Sequence, residues 1–185
     1  MTIGLILIDI QNDYFPRGKM ELHKSEEAGQ VAGQLLNFFR ENKHPIFHIQ
    51  HLAGAGASFF APESEGVEIH QSVRPIASET VVQKNYPNAF RETDLVERLQ
   101  EANIERVVVA GMMTHMCVDA TIRAATDHGF DCLIAQDACA TRNLTFDGRE
   151  VTAQDVHSAF LAALNGTYGE VKTAKEIMAD LSSKL

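Results

Sequence analysis

Five polar side chains stand where apolar runs end, and their types suit attack on a carbonyl carbon. "IGLILIDI" ends on or beside Asp9, "PIFHIQH" on His51, "ETVVQK" on Lys84, and "DCLIAQDA" carries Asp137 near its close. "RVVVAG" runs into a glycine turn that delivers Cys117 at the start of a helical pattern. A thiol in a first helical turn faces the positive end of the helix dipole and unpaired backbone N–H groups. Both favour thiolate, so the position predicts a lowered Cys117 pKa, and a neighbouring Lys84 ammonium pushes the same way. Asp9 can take the thiol proton and return it to a leaving amine. The N–H groups of the turn suit a developing oxyanion, worth roughly 3–4 kcal/mol per donor in other enzymes. Taken singly, each residue has a plainer use: a small core hydrophobe, a cap, a solvated cation. Their joint arrival is what points to chemistry.

The elements that position them alternate. "IGLILIDI" reads as a strand buried on both faces. A helix follows from about Ser25 to Asn42, with Val31, Leu35, Phe38 and Phe39 on one face and "SEE" as its capped start. The strand "PIFHIQH" leads into a long loop, "LAGAGASFFAPESEGVEIHQSVRP", of a length that is often functional. After the strand "ETVVQK", "TDLVERLQEANI" is helical, with Leu95 and Leu99 together and Thr93 or Asp94 as cap. Next come the strand "RVVVAG", the helix "MCVDATIRAATDHG" stopped by Gly129, and the strand "DCLIAQDA". The helix "TAQDVHSAFLAALNG", a short sixth strand "YGEVKT" and a closing helix "AKEIMADLSSK" complete the chain. This alternation predicts an α/β fold: a mainly parallel six-stranded sheet with helices on both faces, one domain over residues 1–185. Ligands then bind beyond the carboxyl ends of the strands, where the five polar residues gather.

The formal net charge of −9 disfavours nucleic acid and anionic membrane surfaces as partners. The N-terminal apolar run lacks a basic flank and a cleavage site, and falls short of the roughly 20 residues a membrane span needs. Three cysteines, Cys117, Cys132 and Cys139, form no CxxC pair. The expected setting is therefore the cytoplasm, with reduced thiols. Cys132 reads as core packing.

Four stretches, "LILIDIQNDYF", "VVQKNYPNAF", "VVVAGMMTHMCVDATIRAA" and "DACAT", occur in order and resemble the isochorismatase-like cysteine hydrolases, which include nicotinamidases and N-carbamoylsarcosine amidase. The resemblance implies a triad of Asp9, Lys84 and Cys117. It also implies a cis peptide between Met112 and Met113, and an oxyanion hole from the N–H groups of Met113 and Cys117. For the fold it implies a three-layer sandwich with strand order 3-2-1-4-5-6, and a homo-oligomer, dimer or tetramer.

Nicotinamidases of that family carry a D-x-H motif after the second strand and bind a divalent metal. Here the matching stretch is "FHIQHLAG", where His51 replaces the aspartate and Ala53 the histidine. His48 and His51 make poor joint ligands on one strand, and His51 with His70 lacks a nameable third. The expectation is no metal and no cofactor, with His51 lining the pocket and His70 beside it. "AGAGAS" lacks the GK[ST] of a phosphate loop and reads as a flexible loop. Tyr14, Phe15, Phe59, Phe60 and Phe90 are the expected aromatic pocket walls. The sequence thus predicts thiol-dependent cleavage of a small-molecule amide. Ether hydrolysis of the isochorismatase type and a non-catalytic binder on the same fold are the alternatives.

Overall fold

β1 (Ile3–Ile8) is buried at every position, because its neighbours on both sides are strands and both of its faces are covered. Leu5 and Leu7 join one apolar cluster, while Ile6 and Ile8 join the other. This is the period-two alternation of a strand with two dry faces. The computed structural model describes residues 2–54 and 56–183.

After β1 come α1 (Ser25–Glu41), β2 (Ile46–His51), β3 (Thr80–Lys84), α2 (Leu95–Glu101), β4 (Arg106–Met112), α3 (Asp119–Asp127) and β5 (Asp131–Ala140). A hairpin of β6 (Leu144–Phe146) and β7 (Arg149–Val151) precedes α4 (Ala153–Leu164), β8 (Glu170–Lys172) and α5 (Ala174–Ser182). The main sheet has the order β3-β2-β1-β4-β5-β8, and every pairing in it is parallel. The expected order holds, with the sixth strand of the sheet numbered eighth because the hairpin intervenes. α1 and α5 cover one face; α2, α3 and α4 supply the cluster on the other. The order reverses between β1 and β4, which opens a crevice beyond their carboxyl ends.

Several local details differ from expectation. Ser25 does not cap α1: Lys24 sits at the cap position with φ of 56° and no side-chain bond. Asp94 precedes α2 without a capping bond, and only Thr93 Oγ1 accepts from the Leu95 N–H, at 3.4 Å. β5 runs on to Ala140, past a bulge opposite Val109–Gly111. The charged stretch between β5 and α4 forms the hairpin, turning on Asp147 (φ 49°) and Gly148 (φ 72°). Two consecutive positive φ angles are what a tight hairpin turn requires, and Asp-Gly supplies them readily. The closing helix is described to Ser182; its expected end at Lys184 lies outside the described residues.

Candidate active site

Asp9 follows β1 directly, with φ of 51°. Its side chain is fully buried, as is that of Lys84 at the end of β3, and Lys84 Nζ donates to Asp9 Oδ2 at 2.7 Å. Asp9 Oδ1 is buried without a hydrogen-bond partner. His51 ends β2 opposite Lys84 in the strand register, and its Nδ1 lies 2.9 Å from Lys84 Nζ. A carboxylate oxygen of Asp9, a ring nitrogen of His51 and Cys117 Sγ all lie within 4.8 Å of one another. Such a trio has the donor types of a metal site, but the Lys84 ammonium already lies between Asp9 Oδ2 and His51 Nδ1. Of the other histidines considered as ligands, His48 bonds Glu79 at 2.8 Å and His70 stacks on Phe15 at 3.5 Å.

The turn that carries Cys117 departs from the expected first turn of an α-helix. β4 ends at Met112, the Met112–Met113 peptide is cis, and Thr114–Val118 form a wide π-type turn before α3 begins. Gly111, with φ of 145°, lets β4 reach this turn beside β1: a Cβ there would lie 2.1 Å from the Ile8 carbonyl oxygen. Thr114 Oγ1 bonds His157 Nδ1 of α4 at 2.9 Å and lies 3.3 Å from the Ala140 carbonyl. His115 Nδ1 bonds Thr141 Oγ1 at 2.5 Å. The extra length of β5 therefore buttresses the turn.

The lowered thiol pKa is not what this burial produces. Cys117 is 4% exposed, and loss of solvent pushes its thiol well above the ordinary value. The Asp9 carboxylate pushes it further up, and the Lys84 ammonium only partly opposes that. Burial and Asp9 thus both favour the neutral thiol. Burial also raises Cys132 to about 11 and Cys139 to about 12.

Two residues of the opening motif hold the rim. Gln11 donates to the His51 and Val67 carbonyls at 2.9 and 2.7 Å, and accepts from the His51 N–H at 2.8 Å. Asp13 accepts from Phe60 N at 2.7 Å and from Lys19 N at 3.1 Å. The long loop is thereby tied to the end of β1, and Gly66 is needed there because a Cβ would lie 2.2 Å from the Asp13 carboxylate. Within "AGAGAS", a Cβ at Gly54 or Gly56 would meet nothing within 4 Å, while Ala55 lies outside the described residues.

Tyr14, Phe59, Phe60 and His51 come together: Tyr14 lies 5.9 and 4.6 Å from the Phe59 and Phe60 rings, and His51 lies 6.0 Å from Phe60. Burial, then the charges of Asp9 and Cys117, push the Tyr14 phenol up. Phe15 and Phe90 are not part of this wall. Phe15 stacks on His70, and Phe90 packs on His128 and Phe130 past the far end of α3. Asp137 also serves elsewhere, accepting the Ala174 N–H at the start of α5 at 2.8 Å. Gln11, Asp13, Thr114 and His157 have no role in the reading from sequence, although the first three lie in stretches that carry the family resemblance. The "DIQND" spacing was the available signal for the first two, since polar residues straight after a buried strand must find partners.

A family model for the isochorismatase domain matches residues 4–176. The chain belongs to the isochorismatase family. It is 52% identical over 179 residues to the isochorismatase family protein YddQ of Bacillus subtilis (strain 168), covering 96% of this chain and 99% of that one. It superposes on a solved isochorismatase-hydrolase fold from Oleispira antarctica with a TM-score of 0.94, at 45% identity and 96% coverage of each chain. It is also 31% identical over 111 residues to maleamate amidohydrolase of Pseudomonas putida, covering 60% of this chain and 47% of that one. As a member of this family the chain is a hydrolase. Among the described residues no helix is long and apolar enough to cross a membrane.

Proposed function

We propose that this isochorismatase-family hydrolase cleaves the C–N bond of a small amide through a thioester on Cys117. The observation that carries the reading is the buried Asp9 carboxylate. One oxygen is held by Lys84 at 2.7 Å and the other has no partner, with the Cys117 sulfur within reach. A buried acceptor left unpaired is costly unless something approaches it, and the Cys117 thiol, within 4.8 Å of an Asp9 carboxylate oxygen, is a proton donor suited to it.

In this reading Cys117 attacks as its proton passes to Asp9, so no standing thiolate is required. The N–H groups of Met113 and Cys117 hold the oxyanion of the tetrahedral intermediate. Asp9 then gives the proton to the departing amine or ammonia as the C–N bond breaks, leaving an acyl thioester. Water, deprotonated by Asp9, attacks that thioester and releases the acid and the Cys117 thiol. Lys84 holds Asp9 in place, and Tyr14, Phe59, Phe60 and His51 wall the pocket. The amidase likeness supports C–N cleavage over the ether hydrolysis alternative, and the joint placement of Asp9, Lys84 and Cys117 favours catalysis over a non-catalytic binder. No step needs a cofactor. The reading also takes the chain as cytoplasmic, in keeping with three free cysteines, and as a homo-oligomer, dimer or tetramer, as the family resemblance implies.

The test is release of ammonia or amine from a panel of small primary amides, ureido acids and nicotinamide, with wild type and Cys117→Ala side by side. Turnover by wild type that is lost in the variant supports the reading. Equal turnover by both, or cleavage of isochorismate alone, sinks it.

A further inference from the structure

A lysine ammonium has three N–H bonds to place, and inside a protein each needs an acceptor. Asp9 Oδ2 takes one at 2.7 Å and His51 Nδ1 lies 2.9 Å away for a second. One remains, and the Cys117 sulfur, within 4.8 Å of both an Asp9 carboxylate oxygen and a His51 ring nitrogen, is a group it can face. The contact with His51 fixes that ring's chemistry. An ammonium has no lone pair, so Nδ1 must be the acceptor, and a neutral ring then carries its proton on Nε2. Burial and the Lys84 charge both favour that neutral ring, against the opposing pull of Asp9. The ring is not free to drift. Gln11 clamps the His51 backbone on both its N–H and its C=O, and β2 pairs with β3 at the His51–Lys84 register. Nε2, on the side of the ring away from Lys84, has no hydrogen-bond partner among the described residues, in a side chain 17% exposed.

We propose that His51 is a positioning residue whose two nitrogens have separate tasks: Nδ1 aims the Lys84 ammonium at Cys117, and Nε2–H donates to a second acceptor oxygen, a carbonyl or carboxylate, on the amide substrate. The Nε2 half rests on the amide-hydrolase reading; the Nδ1 half does not. A substrate without that oxygen loses the contact that His51 Nε2–H offers it. Protonation of His51 would set N–H against N–H beside Lys84, with Asp9, Lys84 and Cys117 as the ionisable groups around the ring.

Three variants separate the tasks. In His51→Asn the side-chain oxygen reaches the place of Nδ1 but no donor reaches that of Nε2. In His51→Gln the amide reaches the place of Nε2 but leaves Lys84 without its acceptor. His51→Ala lacks both. The first readout is the rate of Cys117 alkylation by iodoacetamide between pH 6 and 10, followed on the Cys117 peptide by mass spectrometry, and it needs no substrate. His51→Ala and His51→Gln are expected to slow alkylation about tenfold or more, the weight of one hydrogen bond to a charged group, with His51→Asn recovering most of the loss. The second readout uses an amide that wild type turns over. There His51→Asn raises KM and His51→Gln lowers kcat. Equal alkylation in wild type and all three variants overturns the proposal, as does a parallel change of KM and kcat in all three. If no amide is cleaved but the alkylation pattern appears, the functional reading fails and the Lys84 assignment stands.

Discussion

Replacing Lys84 with methionine leaves the Asp9 carboxylate fully buried with no countercharge. The two side chains have no solvent exposure and meet at 2.7 Å. Removing one partner of such a pair costs about 3–5 kcal/mol, because the remaining ion keeps its desolvation penalty and loses its compensation. Against a total stability of about 5–15 kcal/mol for a typical domain, that is a large fraction. With a urea m-value of up to about 3 kcal/mol/M, the unfolding midpoint should fall by at least about 1 M. The assay is urea unfolding of wild type, Lys84→Met, Asp9→Asn and the double variant at pH 7.5. The double variant buries no ion, so it should regain about 2 kcal/mol over the sum of the single losses. A Lys84→Met midpoint indistinguishable from wild type, or strict additivity in the double variant, would refute the reasoning that this pair is a buried, mutually dependent unit.

Three further outcomes follow from the same geometry. Iodoacetamide should modify wild-type Cys117 slowly at pH 6 and faster as the pH rises past 9, because burial holds the thiol neutral; a rate already level below pH 7 contradicts this. Burial lowers the pKa of His44, His48, His51, His70, His115 and His157, so between the ordinary value near 6.5 and their folded values the unfolded chain binds more protons. Stability is therefore full above that window and falls as pH drops through it; an equal or higher urea midpoint at pH 5.5 than at 7.5 would count against it. Gly66→Ala should drive Asp13 off the Phe60 N–H and cost about 1–3 kcal/mol by overpacking, read as a lower Tm; an unchanged Tm would show that the rim can shift.

The sheet was legible because its strands are extreme. "IGLILIDI" and "RVVVAG" have almost no polar residue, which is the signature of strands dry on both faces. Asp9, His51, Lys84 and Cys117 were legible for the same reason: a polar residue at the end of such a run has one edge of the sheet to go to. What failed depended on tertiary packing. Phe15 and Phe90 have the composition of pocket walls, yet nothing in their neighbours along the chain says that His70 and Phe130 will cover them. The thiol pKa was misjudged because the helix-end argument counts local dipoles, whereas desolvation depends on the strands and loops that close over Cys117. Asp137 ends up at a helix start because β5 continues beyond it. The hairpin at Asp147–Gly148 was readable and was missed, since the flanking "LTF" and "REV" are too short and too polar to look like strands.

The central claim is that the acyl group passes through Cys117. Wild type should be mixed with an amide it cleaves, quenched in acid within the first turnovers, and weighed intact, with peptide mapping of any adduct. The account predicts an added acyl mass on the Cys117 peptide, discharged to a hydroxamate by hydroxylamine. Cleavage with no such adduct at any quench time, together with a Cys117→Ala variant that turns over at the wild-type rate, would contradict it.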